Sequence, residues 1–305
     1  MPAIMHSQTV NPFLRQRFYN RASQANWRAF AFHREQITAR LEAIGSSCAP
    51  SEASLCILGA GNCNDLDLAR LTLSFHRLHL VDIDAEAMQS GVTLQFHTAD
   101  PSAAVRRNRI AFSPCDLTGA LEICHEIAQF PSPQTFARLR AALSHLPAFS
   151  YLSQQFTTVA STCLLSQLLD IFQRALGEDS PEFQPLTELI RLQHLRTLAA
   201  LTAPGGVALL FTDFVSSDSY PELLKAPPHT LPAIMESVLR RQRCFPGTNP
   251  SELCRLLNSP PLVSFWEEPP TLSPPWIWNL GPRSYLVAAI TCRRSRNDLR
   301  SQFAP

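Results

Sequence analysis

The stretch from Ser54 to Ala85 constrains the fold of this chain more than any other. Leu55 to Leu58 is a short apolar run suited to a buried strand, and Gly59-Ala60-Gly61 breaks it. Asn64-Asp65-Leu66 can begin a helix, because Asn caps free N–H groups and an acid favours the positive first turn. About twenty residues after the glycines, His79 to Val81 reads as a second strand that ends on Asp82 and Asp84. Strand, glycine turn, helix, strand, acid is the unit by which a doubly wound sheet receives an adenosine-containing ligand.

The acids narrow the ligand. A dinucleotide fingerprint has Gly or Ala at its sixth position, where this chain has Asn64 followed by Asp65. Asp65 and Asp67 would partly cancel the helix dipole that receives a pyrophosphate. With Asp82, Asp84 and the later Asp116, the expected pocket is acidic. Such a pocket suits a ribose diol and a positive centre. S-adenosylmethionine carries a sulfonium, an ammonium and no phosphate.

The remaining chain supplies more strands and helices, beginning with a short helix over Ala85 to Ser90 that is expected to end near Gly91. Ile110-Ala111-Phe112 is a third strand, followed by Asp116, which can accept from an adenine amino group or cap the next helix. Residues 117–155 read as a helical insertion broken at Pro131-Ser132-Pro133. Phe156 to Ala160 is β-prone and runs into Ser161-Thr162-Cys163. Ala203-Pro204-Gly205-Gly206 ends a long helix, and Val207 to Phe211 follows as the fifth strand, opening onto Thr212-Asp213-Phe214. Thirteen of the 25 prolines fall between Pro221 and Pro282, so residues 213–282 are expected to be a loop-rich segment on the substrate side. Leu262–Trp266 and Ser284–Cys292 read as late strands. Trp276 and Trp278 alternate about Ile277, which places both rings on one face, as core or edge cover.

At the N-terminus, residues 1–22 are poorly periodic. A helix is expected from Ala25, with Trp27, Phe30, Ile37, Leu41 and Ile44 on one face. Trp27 and Phe30 read first as core. The alternative makes residues 15–34 a lid, with His33 and Arg34 near the ligand.

A net charge of +1, with 17% charged residues, makes no case for a nucleic-acid partner. No apolar run approaches the length of a membrane span, and Met1 to His6 has no signal-peptide pattern. The nine cysteines contain no C-x-x-C pair, so no metal site is expected, and they read as reduced thiols of a cytoplasmic protein.

The order of parts resembles the class I S-adenosylmethionine-dependent methyltransferases. The residues that carry the resemblance are Ile57-Leu58-Gly59-Ala60-Gly61, Leu80-Val81-Asp82-Ile83-Asp84, Pro114-Cys115-Asp116-Leu117, Val159-Ala160-Ser161-Thr162-Cys163 and Leu201 to Val207 with its Pro-Gly-Gly turn. The resemblance implies an α/β fold, a doubly wound, mainly parallel seven-stranded sheet with an antiparallel C-terminal strand. The expected division is an N-terminal helical extension over 1–48, a Rossmann-like domain over 49–292 and a basic tail over 293–305.

It further implies S-adenosyl-L-methionine as cofactor. Gly59, Ala60, Gly61 and Asn62 would approach its methionine part, Asp82 and Ile83 its ribose, Asp116 and Leu117 its adenine. Ser161 and Thr162, with Cys163, would line the floor near the methyl group. Two positions depart from the family pattern: Ile57 stands where the family has an acid, and Cys63 where it has a third glycine. Asp65 could supply the missing acid.

The function expected is methyl transfer by in-line displacement, with a small molecule as acceptor. No fixed catalytic residue is implied; His33, His194 and His229 are loose candidates. Two alternatives remain at this point: a methyltransferase-like binding or scaffold protein without turnover, and a nucleotide-dependent oxidoreductase.

Overall fold

The computed structural model describes residues 11–49, 51–97, 101–147, 154–177 and 179–296. The first ten residues of the expected extension, 148–153 of the expected insertion and 297–305 of the expected tail lie outside the described residues.

Two helices come first, α1 (Pro12–Ser23) and α2 (Ala31–Gly45). Then β1 (Ser54–Leu58), α3 (Leu68–Ser74), β2 (Arg77–Asp82), α4 (Ala85–Gln95), α5 (Pro101–Arg107) and β3 (Ile110–Pro114) alternate. Helices α6 (Leu121–Gln129) and α7 (Pro133–Ser144) precede β4 (Phe156–Thr162), α8 (Leu164–Leu176), α9 (Phe183–Leu201) and β5 (Thr202–Ser216). The last part holds α10 (Leu231–Arg240), α11 (Pro250–Leu257), β6 (Thr271–Leu272), β7 (Trp276–Asn279) and β8 (Ser284–Arg293).

The sheet order is β3-β2-β1-β4-β5-β8-β6, with β7 also on β8. Strands β1 to β5 are parallel, and β8 runs antiparallel to β5. The fold class is the one expected. The strand count is eight because β6 and β7 pair with the same long β8 at different places along it.

Strand β1 is buried along its whole length, as a central parallel strand covered on both faces must be. Its side chains alternate between two cores. Cys56 and Leu58 pack with α6, α8 and α9, while Leu55 and Ile57 pack with α2, α3 and α4. Each fully buried Leu or Ile stabilises by roughly 1.5–3 kcal/mol, so a one-residue slip of β1 would invert both faces at prohibitive cost. The departure at Ile57 has this cause: its side chain is completely buried in the second core, where a carboxylate would have no water.

Four local expectations are corrected. Residues 12–23 are helical despite weak periodicity, because Asn11 caps the Phe13 N–H and Pro12 occupies the first turn. Helix α3 starts at Leu68 rather than Asn64, since the Asp67 side chain accepts from the Arg70 N–H as its cap. Helix α4 does not stop near Gly91 but continues to Gln95. Leu262–Trp266 is no strand: Val263–Phe265 form a 3₁₀ turn, Trp266 makes a single bridge to Arg294, and β7 takes the ladder positions on β8.

Trp276 and Trp278 are both buried on one side of β7, as their alternation implies. The Pro-Gly-Gly turn is absorbed into β5 as an irregularity. The pairing jumps from Phe156–Thr202 to Thr158–Val207, and Gly206 sits so close to the Thr157 carbonyl that a Cβ would come within 2.7 Å of it. No helix among the described residues is long and apolar enough to cross a membrane.

Candidate functional site

Parallel strands leave their crevice at the carboxyl ends, where the connections diverge to opposite faces. Here the divergence falls between β1 and β4. The loop after β1 turns on Gly59 (φ +80°) and Gly61 (φ +48°), both in the left-handed region. A Cβ at Gly59 would lie 2.8 Å from the Leu164 Cβ, so the position admits no larger residue. Cys63 also has φ +58°. The backbone a third glycine would adopt is thus kept, with a buried Cys carrying the strain of about 1–2 kcal/mol that a left-handed L-residue incurs.

Asp82, at the end of β2, fastens this loop. Its Oδ2 accepts the Gly61 N–H at 2.9 Å and its Oδ1 the Asp84 N–H at 3.0 Å. Asp84 caps α4 through the Ala87 N–H and accepts from the Asn20 side-chain amide at 3.1 Å. Asn62 in turn donates to the Asn20 carbonyl and the Ser23 hydroxyl, both at 3.0 Å. Helix α1 is therefore strapped across the glycine loop by buried and half-buried hydrogen bonds, and its inner face borders the larger cavity described next, while α2 packs in the core.

Two adjoining cavities follow. The smaller, of about 40 Å³, is bounded by Asp82, Ile83, Asp116, Leu117, Leu121 and Leu164. The larger, of about 650 Å³, is bounded by Gly59, Ala60, Gly61, Asn62, Asp65, Asp82, Cys163, Asp213 and the inner face of α1. That volume suits a ligand of drug-like size. Asp82 borders both.

Asp116 does cap the next helix. Its Oδ1 accepts from the Thr118 N–H and hydroxyl, and its Oδ2 accepts the Leu121 N–H at 2.9 Å. A carboxylate has about four acceptor sites, so one on Oδ2 stays free, and the residue borders the slot.

Ser161 and Thr162, the last residues of β4, turn away from both of these cavities. The Ser161 hydroxyl is 2.9 Å from His194 Nε2 on α9, and Thr162 donates to the Gly59 carbonyl at 3.0 Å. The wall at the end of β4 is Cys163, brought round by its own left-handed turn (φ +49°). His194 is consumed by the Ser161 contact, and burial lowers it to about 4, so it stays neutral. His229 lies in an exposed turn away from both cavities.

His33 is buried beneath two tryptophans. Its ring stacks on Trp278 at 4.5 Å, and its Nδ1 accepts the Trp276 indole N–H at 3.0 Å. Burial first, then Arg34, lowers it to about 3. The neutral ring therefore carries its proton on Nε2, which faces Asp65 Oδ1 at 3.5 Å. Arg34 lies over the Trp27 ring and donates to the Trp27 and Asn64 carbonyls, tying the turn before α2 to the glycine loop.

The sequence expectations left Asp213 without a role. Strand β5 continues past its last pairing with β4, Thr162–Phe211, and carries Asp213 to the floor of the larger cavity. Its Oδ1 accepts the Ser166 hydroxyl at 2.6 Å. Burial raises Asp65 and Asp213 each to about 7, with Asp213 the next contributor at Asp65; burial raises Asp82 to about 6. Gly91 was also missed as a site residue. On α4 it touches the glycine loop so closely that a Cβ would lie 2.3 Å from the Asn62 carbonyl oxygen.

Strand order, with five parallel strands and an antiparallel strand on β5, decides the architecture. The fold is a doubly wound, Rossmann-like α/β fold with antiparallel C-terminal strands. No protein-family model and no curated protein matches the chain. Similar solved structures include the N-methyltransferase NodS from Bradyrhizobium japonicum WM9 with S-adenosyl-L-homocysteine, at 14% identity and TM-score 0.45, covering 93% of this chain and 99% of that one. An O-methyltransferase family protein from Burkholderia thailandensis matches at 12% identity and TM-score 0.38, covering 93% of this chain and 60% of that one. The S-adenosylmethionine-dependent methyltransferase SibL matches at 13% identity and TM-score 0.39, covering 86% and 56%.

Proposed function

We propose that the chain is an S-adenosylmethionine-dependent methyltransferase acting on a small-molecule acceptor. The observation that carries this is the place of Asp82 at the junction of a narrow slot and a larger cavity. A ribose held by that carboxylate would direct its base into the slot, between Ile83, Leu117 and Leu164, with Asp116 Oδ2 open to an amino group. The rest of the cofactor would run past Gly59, Ala60, Gly61 and Asn62. The glycine cradle, left open because no Cβ fits, and the acids Asp65 and Asp82 that border the same cavity suit a ligand without phosphates.

Bound S-adenosylmethionine supplies a methyl group on a sulfonium, which departs as a neutral thioether when a nucleophile attacks. The chain's task is to hold the acceptor in line. Orientation alone can contribute up to roughly 7–11 kcal/mol. Helix α1 and the aromatic wall of Phe30, Trp278 and Tyr285 exclude water, and Cys163 serves as wall, since burial and neighbouring acids keep its thiol protonated. We assign α1 as the cover, with α2 packed on a catalytic domain that runs from β1 past residue 292 to the Trp266–Arg294 bridge, so that the expected tail over 293–305 loses its first two residues to the sheet. The cysteines form no disulfide among the described residues, which fits a reducing, cytoplasmic setting.

Titration calorimetry with S-adenosylmethionine, S-adenosylhomocysteine and NAD tests the reading. The first two are expected to bind and NAD not. Asp82→Ala is expected to abolish binding, with a native far-UV spectrum retained. Normal binding by that variant would remove Asp82 from the site, and binding of NAD alone would favour the oxidoreductase. An acceptor screen with labelled methyl donor separates turnover from binding without turnover.

A further inference from the structure

The larger cavity has an uneven distribution of charge. Five aspartates and three arginines border it. The arginines are at the exposed rim, each paired there: Arg15 with Asp170 at 2.6 Å, Arg174 with Asp170 at 2.9 Å, and Arg283 with Asp218 at 2.5 Å. Asp82 is engaged by the glycine loop. This leaves Asp65 and Asp213 on the floor, both desolvated, with only Arg34 behind the wall partly offsetting Asp65.

The wall beside them is aromatic. Trp278 packs edge-on against Phe30 at 5.3 Å and against Tyr285 at 5.4 Å, and Phe245 packs on Tyr285 at 6.2 Å. All four border the cavity. Carboxylates below and aromatic faces at the side form a receptor for a cation attached to an apolar frame.

We propose that the methyl acceptor is an amine that enters as its ammonium ion, seated between Asp65 and Asp213 with its carbon frame against Trp278 and Tyr285. The inference rests on the methyl-transfer reading and names its substrate class. Ser166 fixes Asp213 by its hydrogen bond, and the His33 ring held by Trp276 stands 3.5 Å from Asp65 Oδ1, which has no hydrogen-bond partner. Asp213 is thus held in place, and Asp65 Oδ1 is open to a donor, before an amine arrives. One N–H proton passes from the ammonium to a floor carboxylate, which frees the nitrogen lone pair. That pair forms the N–C bond as the methyl–sulfur bond breaks, and the bonding electrons stay on sulfur. The product is a methylated ammonium, and the carboxyl returns its proton to solvent as product leaves. A carboxylate acceptor would instead meet two desolvated acids.

The test is titration calorimetry at saturating S-adenosylhomocysteine with three near-isosteres: 2-phenylethylamine, 2-phenylethanol and 3-phenylpropionate. The amine is expected to bind at least ~10-fold more tightly than either other probe, and Asp213→Asn and Asp65→Asn each to reduce that preference to a few-fold or less. Absence of amine binding, equal or tighter binding of the alcohol or carboxylate, or a preference that survives both substitutions overturns the proposal. So does a fall in S-adenosylhomocysteine affinity in both variants with the amine preference unchanged, because the acids would then serve the donor. If the unaltered protein fails to bind S-adenosylhomocysteine, the methyl-transfer reading itself fails, and the separate donor titration shows which has failed.

Discussion

Asp213→Asn should stabilise the ligand-free protein at alkaline pH and leave it unchanged in acid. Burial carries the Asp213 carboxyl from 3.8 to about 7. The folded protein thus keeps a proton that the unfolded chain releases above pH 4, and stability falls as pH rises from about 4 to about 7. At about 1.4 kcal/mol per pH unit, the gap amounts to about 4 kcal/mol once the group is fully ionised. Asn preserves an acceptor for Ser166 and carries no charge, but it remains a buried polar group, so the net gain is about 2–4 kcal/mol. An unfolding entropy of about 2.1 cal/mol/K per residue over 305 residues gives about 0.6 kcal/mol/K. The variant should therefore melt about 3–6 °C higher than the parent at pH 8, with the difference shrinking as pH falls towards the unfolded-chain value of 3.8. Thermal melts followed by circular dichroism across that range measure it. Parallel curves, or a parent that gains on the variant as pH rises, would show that Asp213 is ionised at no cost and refute the burial argument.

Two further substitutions probe how the glycine loop is held. Gly91→Ala places a Cβ against the Asn62 carbonyl, so α4 or the loop must move. A loss of about 1–3 kcal/mol in denaturant unfolding and weaker S-adenosylhomocysteine binding are expected, and unchanged affinity would mean the loop does not need that contact. Asn20→Ala removes the buried amide that reaches Asp84. A loss of about 1–2 kcal/mol, with faster hydrogen exchange in α1, is expected, and unaltered exchange would show that α1 is held by its apolar contacts instead.

Local chemistry made much of the fold legible. Apolar runs at β1, β2 and β8 gave strands because each is buried on both sides and needs no alternation to be recognised. Helix α1 escaped because its surface is mostly polar and exposed; its signal lay in Asn11 and Pro12, a cap and a first-turn proline. Gly91 read as a helix stop because glycine commonly is one. Its reason lies some thirty residues away in the chain, in a carbonyl of the loop that α4 must approach closely.

The two halves of the site differ in the same way. Gly59, Gly61, Asp82 and Asp116 belong to strand ends whose order along the chain is their order in the crevice, so they could be placed from spacing. Ser161 and Thr162 could not, because the last side chains of β4 turn to α9 and to the loop carbonyls, and only the left-handed Cys163 reaches the cavity. The floor and wall are assembled from Phe30, Asp65, Asp213, Trp278 and Tyr285, which no local pattern links. The glycine loop and the strand-end acids are thus written in short motifs, while the floor and wall of the larger cavity arise from tertiary packing, where the extension of β5 beyond β4 and the pairing of β7 with β8 bring an acid and an aromatic face together. At position 57 the core decides the residue: its side chain is completely buried among α2, α3 and α4, where a carboxylate would have no water, so an apolar side chain stands there.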